Sequence, residues 1–586
     1  PRSTLFPYTT LFRSRAVIGG GERPDGGGRA HTIFDPAVPP TGRITIPVKP
    51  KMTIQKCGIG DLDGDGRYDF VLKSPNDNID PYVKYWKPSP DTYTLDAYGA
   101  DGTWLWSHDL GWAIERGIWY SPYIVHDLDG DGRAEVAAKI GEGDPRDPDG
   151  RVRKGAEWVV VWDGATGREL ARAAWPDRSG FGDNEAGYNH ASRNQLAVAY
   201  LDGKTPCLVV LRGTYTVMKA EAWDFDGRSL RRLWAYSSDE SGPRYRGQGA
   251  HTTRCGDLDG DGRDEVLLGS AALDDTGVPL WCTRLGHPDH FYVGDLMPQR
   301  PGLEIYYGIE TRQPSNGMCM ADARTGRILW GWNGPTKHIH ATGLCADVCP
   351  VHPGVECYGA DSADHKPTGD RWLFASDGTV LRRDLDLGFG KNTAHWDADL
   401  QREIVSGDRV VDGDGGRHEP RIEGKGTVLV ADILGDWREE LIVTEPGEMR
   451  IYTTTIPAMD RRVTLMQDRG YRSDVAMAAM GYTVPPTHSE DFESTAPNLH
   501  LTAPAATSGV VRVVAVAPRN ARIDGELTLS AGAGTIAPDR MSVRLAPGER
   551  KVWTCAVTPP RGAKSVSVRG ELEHGGGVLR GAVRVP

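Results

Sequence analysis

The sequence lacks the features that mark several large classes of protein. No apolar run approaches the ~18 residues of a bilayer-spanning helix, so we expect no membrane span. The formal net charge is −12 and no basic stripe is present, which argues against nucleic acid as a partner. The nine cysteines show no metal-site spacing, and the sequence leaves open whether Cys345 and Cys349 pair or stay free.

The N-terminal end shows no secretory signal. Residues 1–14 (PRSTLFPYTTLFRS) lack an initiator Met and resemble a translated sequencing-adapter remnant, so they are excluded from fold reasoning. Residues 15–50 are rich in Gly and Pro and form either a linker or the remainder of a truncated N-terminal domain. We therefore expect the native N-terminus, including any signal peptide, to be missing.

Glycine and short apolar runs are abundant. The chain contains 73 glycines and 40 prolines, and β-branched and aromatic residues recur in short segments between them. Many short strands joined by tight turns have this composition. We therefore predict an all-β fold.

One acidic loop occurs three times, as DLDGDGRYD, DLDGDGRAE and DLDGDGRDE. Carboxylates packed this closely repel one another unless a hard cation such as Ca²⁺ lies among them, and the glycines let the backbone wrap around the ion. The alternative is an Asp-Gly turn that holds no ion. The predicted calcium site residues, in which the arginines stand for nearby main-chain carbonyls, are Asp61, Asp63, Asp65, Arg67, Asp69, Asp127, Asp129, Asp131, Arg133, Glu135, Asp257, Asp259, Asp261, Arg263 and Glu265.

These loops differ from the EF-hand loop. An EF-hand needs a bidentate Glu at position 12, where this chain has Leu72, Ala138 or Leu268, and a strand-like apolar run follows each loop. Because a catalytic ion needs only one special loop, the repetition indicates that the three ions are mostly structural. Weak calcium loops are typical of extracellular proteins, so we expect secretion.

The acidic loops belong to a longer series of landmarks. Weaker copies occur at Asp202, Asp295, Asp347, Asp397 and Asp432, with strand, Gly-turn and strand patterns between them. A period of roughly 50 residues with about four short strands per unit is typical of a β-propeller. We predict an eight-bladed β-propeller over residues 51–495. Seven blades, or two tandem β-sandwiches with calcium loops, are the alternatives.

Residues 496–586 have a different pattern. The Asp loops stop, and apolar and polar residues alternate in VVRVVAV, MSVRL and SVSVRGELE. This alternation predicts one small Ig- or fibronectin-like β-sandwich. The sequence assigns it no chemistry, and it acts either as a spacer or as a weak carbohydrate-binding module.

Several strings along the chain match one known family. They include DLDGDGRYDFVLK, LRGTYT, GQGAHTTRCGDLDGDGRDEV, LGHPDHFYVGDL, DARTGRILWG, ADILGDWREELI and RIYTTTIP. On these residues the chain resembles the rhamnogalacturonan lyases of polysaccharide lyase family 11, which are calcium-containing eight-bladed propellers. The resemblance implies secreted, calcium-dependent cleavage of an anionic plant cell-wall polysaccharide, the pectin backbone, between rhamnose and galacturonate.

The resemblance also implies where the cleft residues lie. The family's Asn-Gly-Thr-Lys run corresponds to RIEGKGT, in which Lys425 matches the lysine if one residue is gapped. A cleft tyrosine matches Tyr482, followed by Thr483 where the family has Asn. An arginine of the family falls near Thr342, and His338 and His340 lie close by.

A uronate lyase must neutralise the carboxylate of the sugar and remove its C5 proton. Our candidates for catalysis are Lys425 as the base, Tyr482, and His340 in place of the missing arginine. His338 and His340 alternate on one face of an extended segment. The candidates for substrate binding are His338, Arg212, Tyr215, Lys391 and His395, although Arg212 and Tyr215 equally suit a structural hydrogen bond.

Two other functions remain open. A calcium-stabilised propeller of this kind could bind glycan or protein without catalysis, and a glycoside hydrolase would need two carboxylates ~5–10 Å apart around one bond. Composition excludes neither. We expect a monomer.

Overall fold

The computed structural model describes residues 17–18, 21–22, 41–363, 366–385, 387, 392–397, 399–413, 417–424, 426–456, 464–489, 498–503, 509–518, 521–563, 565–575 and 577–585. Strands dominate these residues, because short β-branched and aromatic runs alternate with glycine turns. The predicted all-β fold is confirmed.

Helices are few in the described part of the chain. They are α1 (Glu185–Ala191), α2 (Arg469–Met477) and the 3₁₀ turns Pro243–Tyr245 and Leu465–Gln467. Asn184 caps α1 by accepting from the amide of Gly187, and Asp468 caps α2 by accepting from the amide of Tyr471. Among these elements there is no helix whose length and apolar character would let it cross a membrane.

The first strands of the chain are short. β1 (Val17–Ile18) and β2 (Gly21–Glu22) pair with each other, and β3 (Arg43–Pro47) joins a sheet formed much later in the sequence.

Seven antiparallel four-stranded sheets follow, each built from four consecutive strands. Sheets 1 and 2 contain β4 (Lys56–Gly60), β5 (Asp69–Ser74), β6 (Thr94–Tyr98), β7 (Trp104–Asp109), β8 (Tyr123–His126), β9 (Glu135–Gly141), β10 (Glu157–Trp162) and β11 (Glu169–Ala174). Sheets 3 and 4 contain β12 (Asn194–Ala199), β13 (Cys207–Arg212), β14 (Lys219–Phe225), β15 (Leu230–Ser237), β16 (Gly249–Gly256), β17 (Glu265–Gly269), β18 (Ala271–Leu273) and β19 (Pro279–Cys282).

Sheets 5 to 7 repeat this arrangement. Their strands are β20 (Pro288–Gly294), β21 (Glu304–Ile309), β22 (Met318–Asp322), β23 (Ile328–Gly331), β24 (Ile339–Ala346), β25 (Glu356–Ala363), β26 (Lys366–Phe374), β27 (Val380–Arg383), β28 (Asn392–Ala394), β29 (Glu403–Ser406), β30 (Arg409–Val411) and β31 (Arg417–His418).

Sheet 8 joins the two ends of the series. It contains β32 (Thr427–Ala431), β33 (Glu440–Glu445) and β34 (Glu448–Tyr452), and β3 pairs with β34 as its fourth strand. The first strands of the sheets also touch: contacts join β4, β8, β12, β16, β20 and β24 in order, and join β28 to β32 and β32 to β4. The series therefore returns to its starting point.

A buried carboxylate fastens the first turn in seven of these eight sheets. The residue two positions after the first strand donates its amide N–H to an acid that begins the second strand, as from Leu62 to Asp69 over 2.9 Å. This hydrogen bond also explains why an Asp and a Glu lie nine residues apart in the weaker landmarks at Asp295 and Asp347. The other acids that accept in this way are Glu135, Glu265, Glu304, Glu356, Glu403 and Glu440.

The segment that begins with α2 passes among the first strands. α2 contacts β4, β8, β12, β16 and β32. After α2 the chain continues to Met480, whose sulfur lies 3.1 Å from the amide of Leu196 in β12, and then to Tyr482. The helix is tied in place by an ion pair between Asp474 and Arg254 of β16.

Two further four-stranded sheets follow at the C-terminal end and share one hydrophobic cluster. The predicted domain boundary at residue 496 stays a prediction. Their strands are β35 (Asn498–Thr502), β36 (Val510–Val516), β37 (Ile523–Ser530), β38 (Thr535–Ala537), β39 (Arg540–Leu545), β40 (Arg550–Thr558), β41 (Val566–His574) and β42 (Gly577–Val585).

Strand β3 gives a direct test of how the series closes. Ile46 pairs with Met449 of β34 and is 4% exposed in the hydrophobic core. We expect Ile46→Ala to lower the free energy of unfolding by about 2–4 kcal/mol, measured by denaturant titration. The matched control is Thr45→Ala on the exposed face of the same strand, and equal effects of both variants would contradict a closing role.

Candidate active site

Side chains from several sheets converge where the first strands begin. His251 lies near the start of β16, His287 and Asp289 lie at the start of β20, and Glu310 directly follows β21. One ligand atom from each of these four residues lies within 4.8 Å of the others. His287 Nε2 is 2.9 Å from Glu310 Oε2, and His251 Nε2 is 3.4 Å from Asp289 Oδ1. We call these four residues the histidine–carboxylate centre.

Burial controls the charge of this centre. His251 and Asp289 are almost fully buried, and burial holds the pKa of His251 well below its usual range. Burial alone would raise the pKa of Glu310, but the hydrogen bond from His287 and the nearby imidazoles outweigh it and lower that pKa to about 2. A neutral His251 and an ionised Glu310 are donor forms that bind divalent cations, so the centre fits such an ion.

Four of the predicted site residues surround the centre. The Tyr215 hydroxyl lies 3.0 Å from His251 Nε2. His340 Nε2 lies 3.9 Å from Asp289 Oδ2, and His338 Nε2 lies 3.7 Å from Glu310 Oε1. The ring of Tyr482 meets the ring of His251 edge-on with 5.2 Å between the centroids. The structure therefore brings Tyr215, His338, His340 and Tyr482 together.

An arginine adds positive charge beside these tyrosines. Arg193 precedes β12, forms two hydrogen bonds with the carboxylate of Asp80 at 2.8 and 3.0 Å, and is 4% exposed. Its guanidinium lies 5.4 Å from the ring centre of Tyr215 and 5.1 Å from that of Trp119. Trp119 also stacks on His251, with 4.5 Å between the ring centroids. Arg193 therefore lies on the same side of the site as the histidine–carboxylate centre.

Two other predicted residues lie elsewhere. Arg212 is fully buried and donates to the carbonyls of Pro176 and Ala191 and to the carboxylate of Glu157, all at 2.5 to 2.6 Å. These contacts match the structural alternative for Arg212, because its donors are directed at the protein. His395 is also buried, with its Nε2 3.0 Å from Nε2 of His488. Lys391 and Lys425 lie outside the described residues.

The three acidic loops lie at the other end of the first strands. In the first loop, both oxygens of Asp61 accept amide N–H groups, from Gly64 at 2.7 Å and from Gly66 at 2.9 Å. These glycines have φ of 83° and 88°, which other residues rarely adopt. His251 and the loop that follows β16 are about 20 Å apart at the usual rise of a strand, so the loops are remote from the centre.

Only part of each predicted ligand set gathers tightly. The acids at positions 1, 3 and 9 have oxygens within 4.8 Å of one another. The acid at position 5 instead accepts the backbone N–H of the arginine at position 7, as Asp65 does from Arg67 at 2.9 Å. The groups are Asp61, Asp63 and Asp69; Asp127, Asp129 and Glu135; and Asp257, Asp259 and Glu265.

The acids at positions 1, 3 and 9 of each loop have the properties expected of a cation site. Burial raises the pKa of Asp69 to about 7 and the pKa of both Glu135 and Glu265 to about 8, with further contributions from neighbouring carboxylates. Without a positive charge these groups would hold protons near neutral pH. Oxygen donors of this type suit a hard cation such as Ca²⁺.

Sequence reasoning missed the histidine–carboxylate centre. Its members come from two neighbouring sheets, 4 and 5, so no local spacing identifies them. The one available signal was the pair of histidines around Asp289 in GHPDHF, placed directly before a first strand and ahead of the Asp295 landmark. A second mixed group, Asp397, Glu403, Asp412 and His418, gathers within sheet 7 at the Asp397 landmark.

Comparisons with known proteins identify the family to which the chain is similar. The family model described as "Rhamnogalacturonan lyase family 11, C-terminal domain" matches residues 38–494. The rhamnogalacturonan endolyase YesW of Bacillus subtilis (strain 168) is 35% identical over 528 residues, covering 82% of this chain and 81% of that protein. The exolyase YesX of the same organism is 36% identical over 503 residues, covering 77% and 79%.

Solved structures of rhamnogalacturonan lyases are also similar to the structure of this chain. The crystal structure of YesW matches with a TM-score of 0.70 at 34% identity, covering 76% of this chain and 82% of that chain. A rhamnogalacturonan lyase of Bacillus licheniformis matches with a TM-score of 0.68 at 33% identity, covering the same shares of both chains.

The acidic loops predict an unusual dependence of stability on pH. Without metal, Glu135 and Glu265 have raised folded pKa values, so their contribution is present below the unfolded value of 4.5 and is lost as pH rises towards 8. Ca²⁺ replaces the protons, so its stabilising effect grows over this interval. At a hundredfold excess over Kd it reaches about 2.7 kcal/mol per site.

We therefore expect the gap in Tm between calcium-loaded and chelated protein to widen from pH 5 to pH 8, measured by differential scanning calorimetry. Glu135→Gln, which removes one of these carboxylates, should reduce the widening. A gap that stays constant with pH would contradict a role for these acids in binding the ion.

Proposed function

Because the chain belongs to rhamnogalacturonan lyase family 11 and is a polysaccharide lyase, we propose that it cleaves the rhamnogalacturonan backbone of pectin by β-elimination at galacturonate. The observation that carries the proposal is the histidine–carboxylate centre, surrounded by Tyr215, Tyr482, His338 and His340. An anionic plant cell-wall polysaccharide is then the partner.

Sheets 1 to 8 are proposed to be the eight blades of a β-propeller over residues 51–495, followed by a β-sandwich over 496–586. Three observations support the ring: the ordered contacts of the first strands, the contact of β32 with β4, and the completion of sheet 8 by β3. A ring explains why residues of sheets 3 to 6 meet at one rim. The C-terminal module stays either a spacer or a weak carbohydrate-binding module.

The reaction removes the proton at C5 of the uronate and expels the oxygen at C4. That proton is only weakly acidic while the neighbouring carboxylate carries its charge, so a positive group must stabilise the enolate that develops. His251, His287, Asp289 and Glu310 would hold a divalent cation, which supplies this stabilisation when bound. Arg193 lies on the same side of the site as these four residues and adds a permanent positive charge.

The remaining side chains would move protons and hold the sugar. Lys425 is the proposed base, an assignment that rests on the family resemblance. Tyr482 would donate a proton to the leaving oxygen, and burial, which raises the pKa of its hydroxyl, keeps it protonated for this role. His340 and His338 would hold the uronate carboxylate, with Tyr215 orienting His251; Lys391 stays a candidate for binding.

The acidic loops are proposed to bind Ca²⁺ in a structural role. Their distance from the histidine–carboxylate centre supports this, and so does their position beside neighbouring sheets: the carbonyl of Asp61 accepts from the amide of Ala134 at 2.7 Å. We further propose that the protein is secreted and monomeric.

The type of bond cleavage is tested by the product. β-Elimination creates an unsaturated uronate that absorbs in the near ultraviolet, whereas hydrolysis gives reducing ends without this band and simple binding gives neither. We expect rhamnogalacturonan to yield the band, and we expect a chelator to abolish it. Depolymerisation without absorbance would show a hydrolase and contradict the lyase proposal.

The role of Tyr482 is tested by removing only its hydroxyl. Tyr482→Phe keeps the ring contacts with Trp119 and His251, so Tm should stay near that of the wild type. We expect kcat to fall by about 10²–10⁴-fold, the usual contribution of one acid–base group. The control is Tyr82→Phe at an exposed tyrosine, and an unchanged kcat for Tyr482→Phe would remove this residue from the mechanism.

A further inference from the structure

Two lysines face each other inside the protein. Lys56 on β4 and Lys73 on β5 are directly opposite in the antiparallel ladder, so their side chains leave the same face of sheet 1. Lys56 is 5% exposed and Lys73 is fully buried. Like charges in this arrangement repel, and each buried ammonium loses its hydration.

No carboxylate among the described residues pairs with either ammonium. Lys56 Nζ donates to the hydroxyl of Thr483 at 3.1 Å, and Lys73 Nζ donates to the carbonyl of Ser121 at 3.1 Å. Lys73 also lies 5.4 and 5.7 Å from the ring centres of Tyr93 and Tyr123. None of these partners carries a negative charge.

Another buried lysine of the chain shows how the charge of a buried ammonium is usually compensated. Lys139 on β9 is as deeply buried, and its Nζ lies 2.8 Å from a carboxylate oxygen of Glu157. Lys56 and Lys73 lack such an acid, and burial lowers the pKa of each to about 7. The pair therefore lacks the negative charge that buried cations normally have.

One hydroxyl beside the pair has no hydrogen-bond partner among the residues that the structure describes. The hydroxyl of Ser121, on the residue whose carbonyl accepts from Lys73, is buried and has no partner in the described part of the chain. Unpaired donors beside two ammonium groups match an anion with more than one oxygen.

The pair lies beside the candidate active site. Thr483, which accepts from Lys56, directly follows Tyr482 and is half-buried, so the ammonium of Lys56 contacts the segment that carries Tyr482. Lys73 lies on β5, the second strand of the same sheet, and adds its positive charge to that of Lys56.

We infer that Lys56, supported by Lys73 and Ser121, forms a subsite that binds the carboxylate of a uronate residue next to Tyr482. This rests on the proposed function, because it identifies where a second acidic sugar of the same polymer is held. A carboxylate supplies the missing charge and two oxygen acceptors. Cleavage at a uronate several sugars away from a chain end would then depend on this contact.

The test compares an acidic and a neutral sugar on the full chain. Isothermal titration with D-galacturonate and D-galactose is performed on the wild type, on Lys56→Met, and on Lys154→Met as a control that removes the same charge from the surface. Lys154 is 77% exposed at its side chain. We expect Lys56→Met to weaken galacturonate binding by about tenfold or more, the usual effect of a charged hydrogen bond, and Lys154→Met to leave it unchanged.

The stability of the variant separates binding from folding. Because Lys56→Met removes an uncompensated buried charge, its Tm should equal or exceed that of the wild type. Should this variant fail to fold, Lys56→Gln replaces it. Equal galacturonate affinity in the wild type and the Lys56 variants, or no binding by the wild type, overturns the inference. Inorganic phosphate that competes as well as galacturonate would show a general anion site and overturns the uronate assignment.

The outcome is distinguishable from failure of the proposed function. If the wild type gives the ultraviolet band and the Lys56 variants retain its KM on rhamnogalacturonan, the subsite is wrong and the lyase stands. If galacturonate binds through Lys56 while the polymer yields no band, the lyase fails and the subsite stands.

Discussion

The repeated sheets depend on one buried carboxylate that begins the second strand of the sheet. In seven of the eight sheets, from Asp69 to Glu440, this group accepts the amide of the preceding turn and fixes how the first two strands meet. Burying a carboxylate is costly unless hydrogen bonds or a cation compensate for it. In the three strongest loops the surrounding aspartates add further negative charge, so a cation is the natural partner.

The residues that stabilise the sheets and the residues of the candidate active site lie at opposite ends of the first strands. The acidic loops occupy the end where the first strand turns into the second, and the histidines and tyrosines occupy the end where it begins. The segment after α2 links the two ends, because α2 contacts the first strands near Arg254 and the chain then carries Tyr482 to His251. Rigid loops at one end therefore allow precise placement of side chains at the other.

Local pattern was sufficient for much of the fold. The all-β class follows from glycine turns and β-branched runs, and the landmarks at Asp295 and Asp347 correctly marked the acids Glu304 and Glu356. The proximity of His338 and His340 follows from the period of a strand, and their rings lie 5.0 Å apart. Long-range geometry was not accessible in this way. The histidine–carboxylate centre joins residues of two sheets. Arg212 proved to be enclosed by Glu157 and two carbonyls that no spacing connects with it.

The central claim is that cations neutralise the acidic loops and so hold the sheets in register. The most direct measurement is the calcium content of protein purified without chelator, determined by inductively coupled plasma mass spectrometry. The account predicts at least three ions per chain, with one lost when Asp257 and Glu265 are both replaced by their amides. Protein that is fully folded and contains no divalent ion would contradict it.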